Sequence, residues 1–344
     1  TWDASTTLWN SKADGTGSTA VGTAFRLAIF AAGSDATGTY SVHVDGTQEI
    51  AGLRFEQGGV TLQQAEEPGT PGTLRLVWDS MVTVAPGLTA TISTPITQDD
   101  PSSRALFKDG DGTLILAPGV IGYTGGTKVM AGTLKTSGAG VFDGSAVTVA
   151  GNAAGVTATL DLGIYSDTIG SLTLGGMTTS SGAVVTTNAG TLTLGGNVIY
   201  DKANNPLGAT ISGKLDLGGD NRTFTVNDSA TAADDLTVSA DISGTGVGLT
   251  KAGNGTLVLS GTNTYDGPTT ISAGVLRTSG AAALPGYASS GKVVFDGGTL
   301  HVVLGSGWTI GDVATLLTNA TKTSGTLALD TSSGDVTQSA DLPT

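Results

Sequence analysis

The sequence contains no cysteine, and only 13% of its residues are charged and 5% aromatic. The absence of cysteine excludes a disulfide framework, thiol catalysis and cysteine-based zinc sites. No apolar stretch approaches the ~20 residues that a membrane-spanning helix needs, so we expect no membrane span in the chain. Basic residues number 15 against 29 acidic ones, giving a net charge of −14, and they form no cluster. Nucleic acid is therefore not an expected partner.

Glycine, threonine and short apolar runs dominate what is present. Glycine accounts for 54 of the 344 residues, about twice the usual share of ~7%. Hydrophobic residues make up 38% of the chain and occur in short alternating runs, with Thr and Ser between them. Such alternation predicts strands with one buried face, because successive strand side chains point to opposite sides. A disordered chain would be poorer in Val, Ile and Leu.

Two stretches of the sequence, 107–138 and 249–280, match each other closely. Each contains the pattern Lys-x-Gly-x-Gly-Thr-Leu-x-Leu, which begins at Lys108 in the first copy and at Lys251 in the second. We expect the leucines to face inward and the glycines to form corners, because glycine reaches positive φ without a clash. The two copies differ in loop length, which a stacked-strand repeat tolerates.

These residues resemble the autotransporter-associated β-strand repeat, a repeat of passenger domains. The segment Lys251–Leu276 fits that pattern nearly throughout, although Pro268 replaces the usual glycine. The earlier copy lacks the Ser-Gly-x-Asn part of the pattern. The resemblance implies an all-β fold, a right-handed parallel β-helix (β-solenoid), in a surface-exposed or secreted bacterial protein. It implies no particular activity.

A shorter pattern related to the repeat, Leu-x-Leu-Gly-Gly, begins at Leu172, Leu192 and Leu215. Their spacing predicts turns of about 20–23 residues, which is shorter than a propeller blade of ~40 residues. Turns of this length, stacked at ~4.8 Å, would give a rod of roughly 15 turns and on the order of 70 Å long. The best helical candidate is Ala281–Leu284, which Pro285 ends, and no capping helix is predicted.

The chain divides into a Trp-containing N-terminal arm or cap at residues 1–30 and a β-helix at 31–344. Trp2 and Trp9 lie in a polar setting within the arm. We interpret the start of the chain as a mature N-terminus from which a signal peptide has been removed. Because the terminal turns lack an evident cap, the arm could also serve as a donor strand for the open end of a neighbouring copy.

Aromatic and histidine positions give no catalytic pattern. His43 and His301 are the only histidines, and alternation places both on outward strand positions without a metal partner. No Gly-x-Ser-x-Gly elbow is present to complete a triad. Tyr123 and Tyr265 occupy equivalent repeat positions, where we expect them to pack a turn rather than to bind a glycan. Leu74, Leu76 and Trp78 are predicted to share one face, since they alternate.

Several acidic residues could line a polysaccharide-cleaving groove. Neighbouring acids occur at Glu66-Glu67, Asp99-Asp100 and Asp234-Asp235, and Asp161 and Asp216 share a Leu-Asp-Leu-Gly context that could align them across turns. Asp109 and Asp111 lie in an Asp-Gly-Asp-Gly run that hints at Ca²⁺, but Val120 replaces the bidentate Glu of a calcium loop. The glycines there are better explained as a corner.

The sequence thus predicts no catalytic, cofactor-binding or metal-binding residues. We expect a non-catalytic structural β-solenoid, exported to the cell surface or medium, that self-assembles end to end into filaments. The alternative is a passenger adhesin that binds surface glycans or proteins. A polysaccharide hydrolase or lyase is the third possibility, and it would need a carboxylate-lined groove along the rod.

Overall fold

The structure is a computed structural model. It describes Trp2 and residues 9–10, 19–20, 27–31, 38–66, 69–99, 101, 103–152, 155–175, 182–201, 207–229 and 232–331. Short strands that pair in parallel with the preceding and following turn make up nearly all of this part of the chain. The predicted all-β parallel β-solenoid is confirmed.

The strands are short because each side of a turn holds only a few residues before the next corner. In chain order they are β1 (Trp9–Asn10), β2 (Thr19–Ala20), β3 (Leu27–Phe30), β4 (Thr39–Val44), β5 (Thr47–Phe55), β6 (Gly59–Gln64), β7 (Thr73–Val84), β8 (Thr89–Ile92), β9 (Ile96–Gln98), β10 (Leu106–Asp109), β11 (Thr113–Leu116), β12 (Ile121–Gly122), β13 (Thr127–Val129), β14 (Gly132–Thr136), β15 (Val147–Val149) and β16 (Ala158–Asp161). The second half contains β17 (Asp167–Ile169), β18 (Leu172–Gly175), β19 (Ala183–Thr186), β20 (Leu192–Leu194), β21 (Val198–Asp201), β22 (Ala209–Ser212), β23 (Lys214–Asp216), β24 (Arg222–Val226), β25 (Leu236–Val238), β26 (Asp241–Ser243), β27 (Leu249–Ala252), β28 (Thr256–Leu259), β29 (Thr269–Ile271), β30 (Val275–Thr278), β31 (Val293–Val303) and β32 (Thr321–Asp330).

Equivalent strands of successive turns form three columns along the molecule. The first column contains β4, β6, β8, β11, β14, β16, β19, β22, β25, β28 and β30, and then the second halves of β31 and β32. The second contains β3, the second halves of β5 and β7, then β10, β13, β15, β18, β21, β24, β27 and β29, and the first halves of β31 and β32. The third contains the first halves of β5 and β7, then β9 and β12, and later β17, β20, β23 and β26.

Alternate residues of each strand fill the interior, as the sequence predicts. Leu114 lies beside Leu134 in the next turn, and Leu134 lies beside Leu160 in the turn after that. All three are fully buried. Full burial of each such side chain contributes about 2 kcal/mol, so the stacked leucines account for much of the stability of neighbouring turns. The predicted column of aliphatic side chains is confirmed.

The prediction of about 15 turns is wrong, because the turns are longer than expected. Hydrogen-bonded partners in successive turns are 20 residues apart for His43 and Gln63 and 30 residues apart for Ile50 and Ser80. The extra residues lie at corners, which can lengthen without changing the strand columns. The thirteen stacked strands of the first column, spaced at ~4.8 Å, span about 60 Å.

The three occurrences of the Leu-x-Leu-Gly-Gly pattern do not all lie in the same column of strands. Leu192 lies beside Leu215 in the third column, so these two are one turn apart as predicted. Leu172 belongs to the second column and lies beside Val198. The pattern describes a strand followed by a corner, and every column contains that combination.

The prediction of no further helix is wrong. Helix α1 (Ile310–Asn319) lies in the chain between β31 and β32, and a capping box between Thr309 and Asp312 begins it. Its Val313 and Leu316 are buried in the core. The predicted short helix is present as a 3₁₀ turn, Ala281–Ala283. Neither helix is long and apolar enough to cross a bilayer, and no other helix occurs in the described ranges that could do so.

Part of the N-terminal segment packs on the solenoid. Trp2 is buried, forms a parallel bridge with Val44 and meets the ring of Phe30 edge to face at 6.0 Å. Phe30 in turn stacks on Phe55 at 4.9 Å. Trp2 thus packs within its own chain, and the use of the arm as a donor strand stays a prediction. The side chain of Trp9 and most of residues 1–30 lie outside the described residues, so the boundary of the arm remains a prediction.

Candidate functional site

Two lysines of the repeat pattern are buried in the mainly apolar interior. Lys108 is fully buried, and its Nζ donates to the carbonyl oxygens of Asp109 at 3.1 Å, Gly110 at 2.7 Å and Ala131 at 2.9 Å. The first two acceptors belong to its own corner, and Ala131 belongs to the next turn. The lysine therefore ties two successive turns together.

Lys251 repeats this arrangement in the second copy. Its Nζ donates to the carbonyl oxygens of Ala252 at 3.0 Å, Gly253 at 2.7 Å and Ala273 at 3.0 Å. An ammonium group has three N–H donors, and in each copy all three find an acceptor. Burial lowers the pKa of both Lys108 and Lys251 to about 8, and nearby aspartates oppose that shift.

Glycine is required at these corners by conformation and by space. Gly253 has φ +76° and Gly274 has φ +61°, a region that side chains rarely adopt. A Cβ on Gly274 would lie 2.4 Å from the carbonyl oxygen of Gly253. The close approach of two stacked corners aims the carbonyl groups at the lysine. The corner function predicted for these glycines, including the Asp109–Gly112 run, is confirmed.

The repeat tyrosines pack inside a turn, as predicted. Tyr123 is buried, and its hydroxyl lies 2.7 Å from Oγ1 of Thr127. Tyr265 is buried in the same way, with its hydroxyl 2.7 Å from Oγ1 of Thr269. Both rings are inaccessible to a glycan, so these residues are part of the fold.

The two histidines lie on outward strand positions near opposite ends of the described solenoid. Nε2 of His43 in β4 is 3.2 Å from Nε2 of Gln63. His301 in β31 lies between buried Leu300 and Val302, and its Nε2 is 3.8 Å from a carboxylate oxygen of Asp330. Their outward placement is confirmed, and the structure does not bring them together.

The predicted alignment of Asp161 and Asp216 is wrong. Asp161 is in the first column, where one carboxylate oxygen is 3.0 Å from Nζ of Lys135. Asp216 is in the third column and accepts a hydrogen bond from Ser243 at 2.5 Å. Each aspartate also accepts from the backbone N–H two residues later. The shared sequence context therefore reflects a local turn stabilised by aspartate.

The neighbouring acids are exposed or engaged in structural contacts. Glu66 is exposed, whereas Glu67 and Asp100 lie outside the described residues. Asp99 pairs with Arg104 at 2.9 Å, and that hydrogen bond lowers the pKa of Asp99. Buried Asp235 accepts from the backbone N–H groups of Ser229 and Thr256. Among the residues described, no group of three or more His, Asp or Glu side chains could hold a metal ion.

Asp234 joins two turns from the outside. Its carboxylate is 2.6 Å from the guanidinium of Arg277, which lies 43 residues later. Val258 lies beside Arg277 on the intervening strand and is buried although it points outward. The aliphatic part of Arg277 explains this burial, since it must pass over the intervening turn to reach Asp234.

Asp167 is a buried acid that sequence reasoning missed. It accepts hydrogen bonds from the backbone N–H groups of Val141 at 2.7 Å, Phe142 at 3.2 Å and Thr168 at 2.8 Å. Burial raises its pKa, and these backbone donors oppose the shift. Because these hydrogen-bond donors are all backbone N–H groups, we assign Asp167 a structural role in holding this corner together. Its short Asp-Thr-Ile strand carries no pattern that distinguishes it from surface aspartates.

Trp78 does not share the inward face of Leu74 and Leu76. It is 52% exposed, while both leucines are fully buried. The reason is a corner inside β7, whose first half pairs in the third column and whose second half pairs in the second column. Trp78 lies between the halves, and the guanidinium carbon of Arg104 is 5.6 Å from the centre of its ring.

Comparison with known families matches the two stretches that contain the lysine corners. The model of the passenger-associated-transport repeat matches residues 106–135 and 249–277. The two stretches are passenger-associated-transport repeats. The resemblance noted in the sequence is thereby confirmed. In structural terms, a passenger-associated-transport repeat here contains the buried lysine, its stacked glycine corners and the packed tyrosine.

The chain is also similar to part of a protein whose name describes it as an autotransporter. The chain is 32% identical over 212 residues to the protein named adhesin BmaC autotransporter of Brucella suis biovar 1 (strain 1330). The alignment covers 59% of this chain and 5% of the relative, so the chain spans a small part of the relative's length. No solved structure matches the chain.

Proposed function

We propose that this chain is a non-catalytic part of an exported passenger at the bacterial cell surface, where it forms a rigid spacer with an adhesive surface. The observation that carries the proposal is the coincidence of both passenger-associated-transport repeats with the lysine corners. These corners stiffen the coil by joining successive turns. The adhesin relative supports a role in attachment to surface glycans or proteins.

A surface-display experiment tests the location. The chain is fused to the translocation domain of a laboratory autotransporter, and intact cells are labelled with antibody and then treated with protease. We expect labelling of intact cells and release of a compact β-rich fragment, because paired strands resist cleavage. A chain that is exported but degraded to small peptides would contradict the rigid-spacer role.

An adhesion experiment tests the attachment role. Cells that display the chain are compared with cells that display an unrelated β-solenoid of equal length, on surfaces coated with host-type glycans or matrix proteins. We expect retention of the first cells only. Equal retention of both would argue that the chain serves only as a spacer.

The non-catalytic part of the proposal rests on the placement of the acids. Of the described carboxylates that prompted a polysaccharide hydrolase or lyase, Asp161 and Asp216 lie in different columns. The side chains of Asp99, Asp234 and Asp235 engage basic or backbone groups, and Glu66 is exposed at a loop. A reducing-sugar assay with acidic polysaccharides, together with an absorbance assay for unsaturated products, should give no turnover. Turnover that persists after repurification would overturn this part.

Self-association is a second candidate, and the edge of β32 favours it. In the described part of the chain, β32 pairs only with β31, and most of β32 is exposed, including Leu329. Exposed strand edges readily accept another strand. If copies stack here, purified protein should form filaments in negative stain, and Leu329→Lys should abolish them. A monodisperse monomer at high concentration would exclude this assembly.

We also propose that residues 1–30 act as a cap at the other end of the solenoid. The packing of Trp2 on Phe30 supports this proposal.

A further inference from the structure

The outside of the first turns carries an exposed apolar surface. Leu27 is 48% exposed, Trp78 52% and Met81 41%. In the second column, Leu27, Gly52, Met81 and Phe107 lie side by side in successive turns. We define Leu27, Trp78, Met81 and Phe107 as the Trp78 patch.

Polar residues interrupt this apolar ladder after Phe107. The next outward positions in the same column are Lys128, Thr148 and Thr173. Three of the exposed large apolar side chains therefore lie near one another in the first turns, and the next one in this column is Ile199. A concentration of exposed apolar groups with a polar border is typical of an interaction site.

The Trp78 ring is held in place. Arg104 lies over the ring at 5.6 Å, and Asp99 fixes the guanidinium through Nε–Oδ1 at 2.9 Å and Nη2–Oδ2 at 3.2 Å. Lys128 places its Nζ 4.9 Å from the centre of the Phe107 ring. These contacts restrict both rings before any ligand arrives, and a preorganised surface loses less entropy on binding.

Most of the charged side chains described around the patch form ion pairs. Three described arginines near it have carboxylate partners, in the pairs Arg54–Glu56, Arg75–Glu49 and Arg104–Asp99, and the ammonium group of Lys128 lies over the Phe107 ring. These pairs offer hydrogen-bond donors and acceptors, and the described residues form no cluster of like charge beside the patch. An acidic glycan or a basic peptide would find no unpaired cluster of opposite charge there. A neutral sugar suits it, because a pyranose has an apolar C–H face and a rim of hydroxyl groups.

We infer that the Trp78 patch binds neutral oligosaccharides, with a sugar ring stacked on Trp78 and its hydroxyl groups bonded to the Asp99–Arg104 pair. This inference rests on the proposed adhesive role and assigns it a place on the solenoid. Phe107 and Met81 extend the apolar contact along the second column, so a linear chain of sugars would lie across successive turns.

Binding is tested with purified chain and two neutral probes, cellotetraose and chitotetraose, with tetragalacturonate as the acidic comparison. Calorimetry and tryptophan fluorescence follow the titration. We expect a neutral probe to bind and the acidic probe to bind at least about tenfold more weakly. Trp78→Ala should weaken binding at least about tenfold, and Arg104→Ala should weaken it less, because the ring remains but is no longer held.

Ile164→Ala is the matched control, since Ile164 is 67% exposed at another corner and should leave binding unchanged. Unaltered melting temperatures establish that the variants are folded. The inference is overturned if neither neutral probe binds, if the acidic probe binds best, or if Trp78→Ala binds like the unaltered chain. The surface-display experiment under the proposed function tests the location without measuring sugar binding. A failure of sugar binding can therefore be distinguished from a failure of the proposed location.

Discussion

Lys108 and Lys251 are charged groups inside a core that is otherwise largely aliphatic. Each ammonium group is surrounded by three backbone carbonyl oxygens, two from its own corner and one from the next turn. Removing a charge from water is costly unless hydrogen bonds replace the solvent. Stacked glycine corners provide these acceptors, because a side chain at Gly274 would collide with the Gly253 carbonyl.

Replacing Lys251 with methionine should destabilise its corner by about 2–3 kcal/mol, because the carbonyl groups of Gly253 and Ala273 lose their donor. Hydrogen–deuterium exchange over 249–280 measures the effect. Lys135→Met is the control, since that lysine is 42% exposed and forms a partly exposed ion pair with Asp161, of a kind that contributes about 1 kcal/mol or less. Equal effects of the two substitutions would refute a special function of the buried lysine.

The buried tyrosines make stability depend on alkaline pH. Burial raises the pKa of Tyr265 from 10.0 to about 12, while its hydrogen bond with Thr269 opposes the shift. Well below pH 10.0 the Tyr265 hydroxyl is protonated in both the folded and the unfolded chain. Above that pH the unfolded form ionises first, so stability should fall by about 2–3 kcal/mol as the pH rises to about 12.

Urea denaturation at increasing pH measures this decline. Tyr265→Phe should be less stable at neutral pH but should show a shallower decline above pH 10.0, because one ionising group is gone. Tyr200, whose pKa burial also raises to about 12, should preserve part of the slope. An identical slope in the variant would mean that Tyr265 ionises without opening the fold.

At this scale the sequence predicts inward positions well and corners poorly. Leu114, Leu257 and Leu259 are buried as alternation requires. Trp78 continues the same alternation and yet lies outside, because β7 turns a corner before it. Alternation describes a straight strand, and no residue next to Trp78 marks where that strand bends.

Among the elements, α1 differs from every strand of the coil. It follows β31, and its apolar face buries Val313 and Leu316. Several of its residues are β-branched, including two threonines, and the resulting weak helix propensity means that the sequence does not predict it. The Thr309–Asp312 capping box, with Asp312 N to Thr309 Oγ1 at 3.1 Å, indicates where the helix begins.

Thr309→Ala should weaken α1 by about 1 kcal/mol, because the backbone N–H of Asp312 loses its cap. Faster amide exchange confined to Ile310–Asn319 would show it. Thr318→Ala removes a hydroxyl that bonds within the helix to Ala314, and it should leave exchange nearly unchanged, since alanine favours helix. If Thr309→Ala also accelerated exchange in β31, the helix and the last turns would be one cooperative unit.

Strand columns are the feature that sequence patterns at the element scale could not assign. Asp161 and Asp216 share a local sequence, yet they belong to different columns. A strand followed by a glycine corner fits any side of the coil. Only the distance to neighbouring corners decides the side, and that distance varies from turn to turn.

For the whole molecule, the column register predicts which deletions are tolerated. Leu192 and Leu215 are equivalent positions in successive turns. Deleting residues 192–214 removes one turn and should retain a β-rich solenoid, because each remaining column still meets an equivalent strand. Deleting 192–203 removes about half of that turn and should disrupt the fold, since strands would then meet the wrong column.

Circular dichroism and small-angle scattering distinguish the two deletions. The first should give a slightly shorter particle with a cooperative transition, and the second should give a loss of β signal or aggregation. If both behaved alike, packing between turns would be less specific than the register implies. The general solenoid could be predicted from sequence, but its number of turns could not, because corner lengths are not fixed by the interior.

The direction of the backbone hydrogen bonds has a mechanical consequence. They run between turns, and therefore along the length of the molecule. A load that pulls the two ends apart acts on the bonds of all columns in a turn together, and at the lysine corners it also acts on the bonds to Ala131 and Ala273. A cell held by such a tether under flow would stretch it little before a whole turn yields. The force at which it lengthens should be set by its weakest junction between turns.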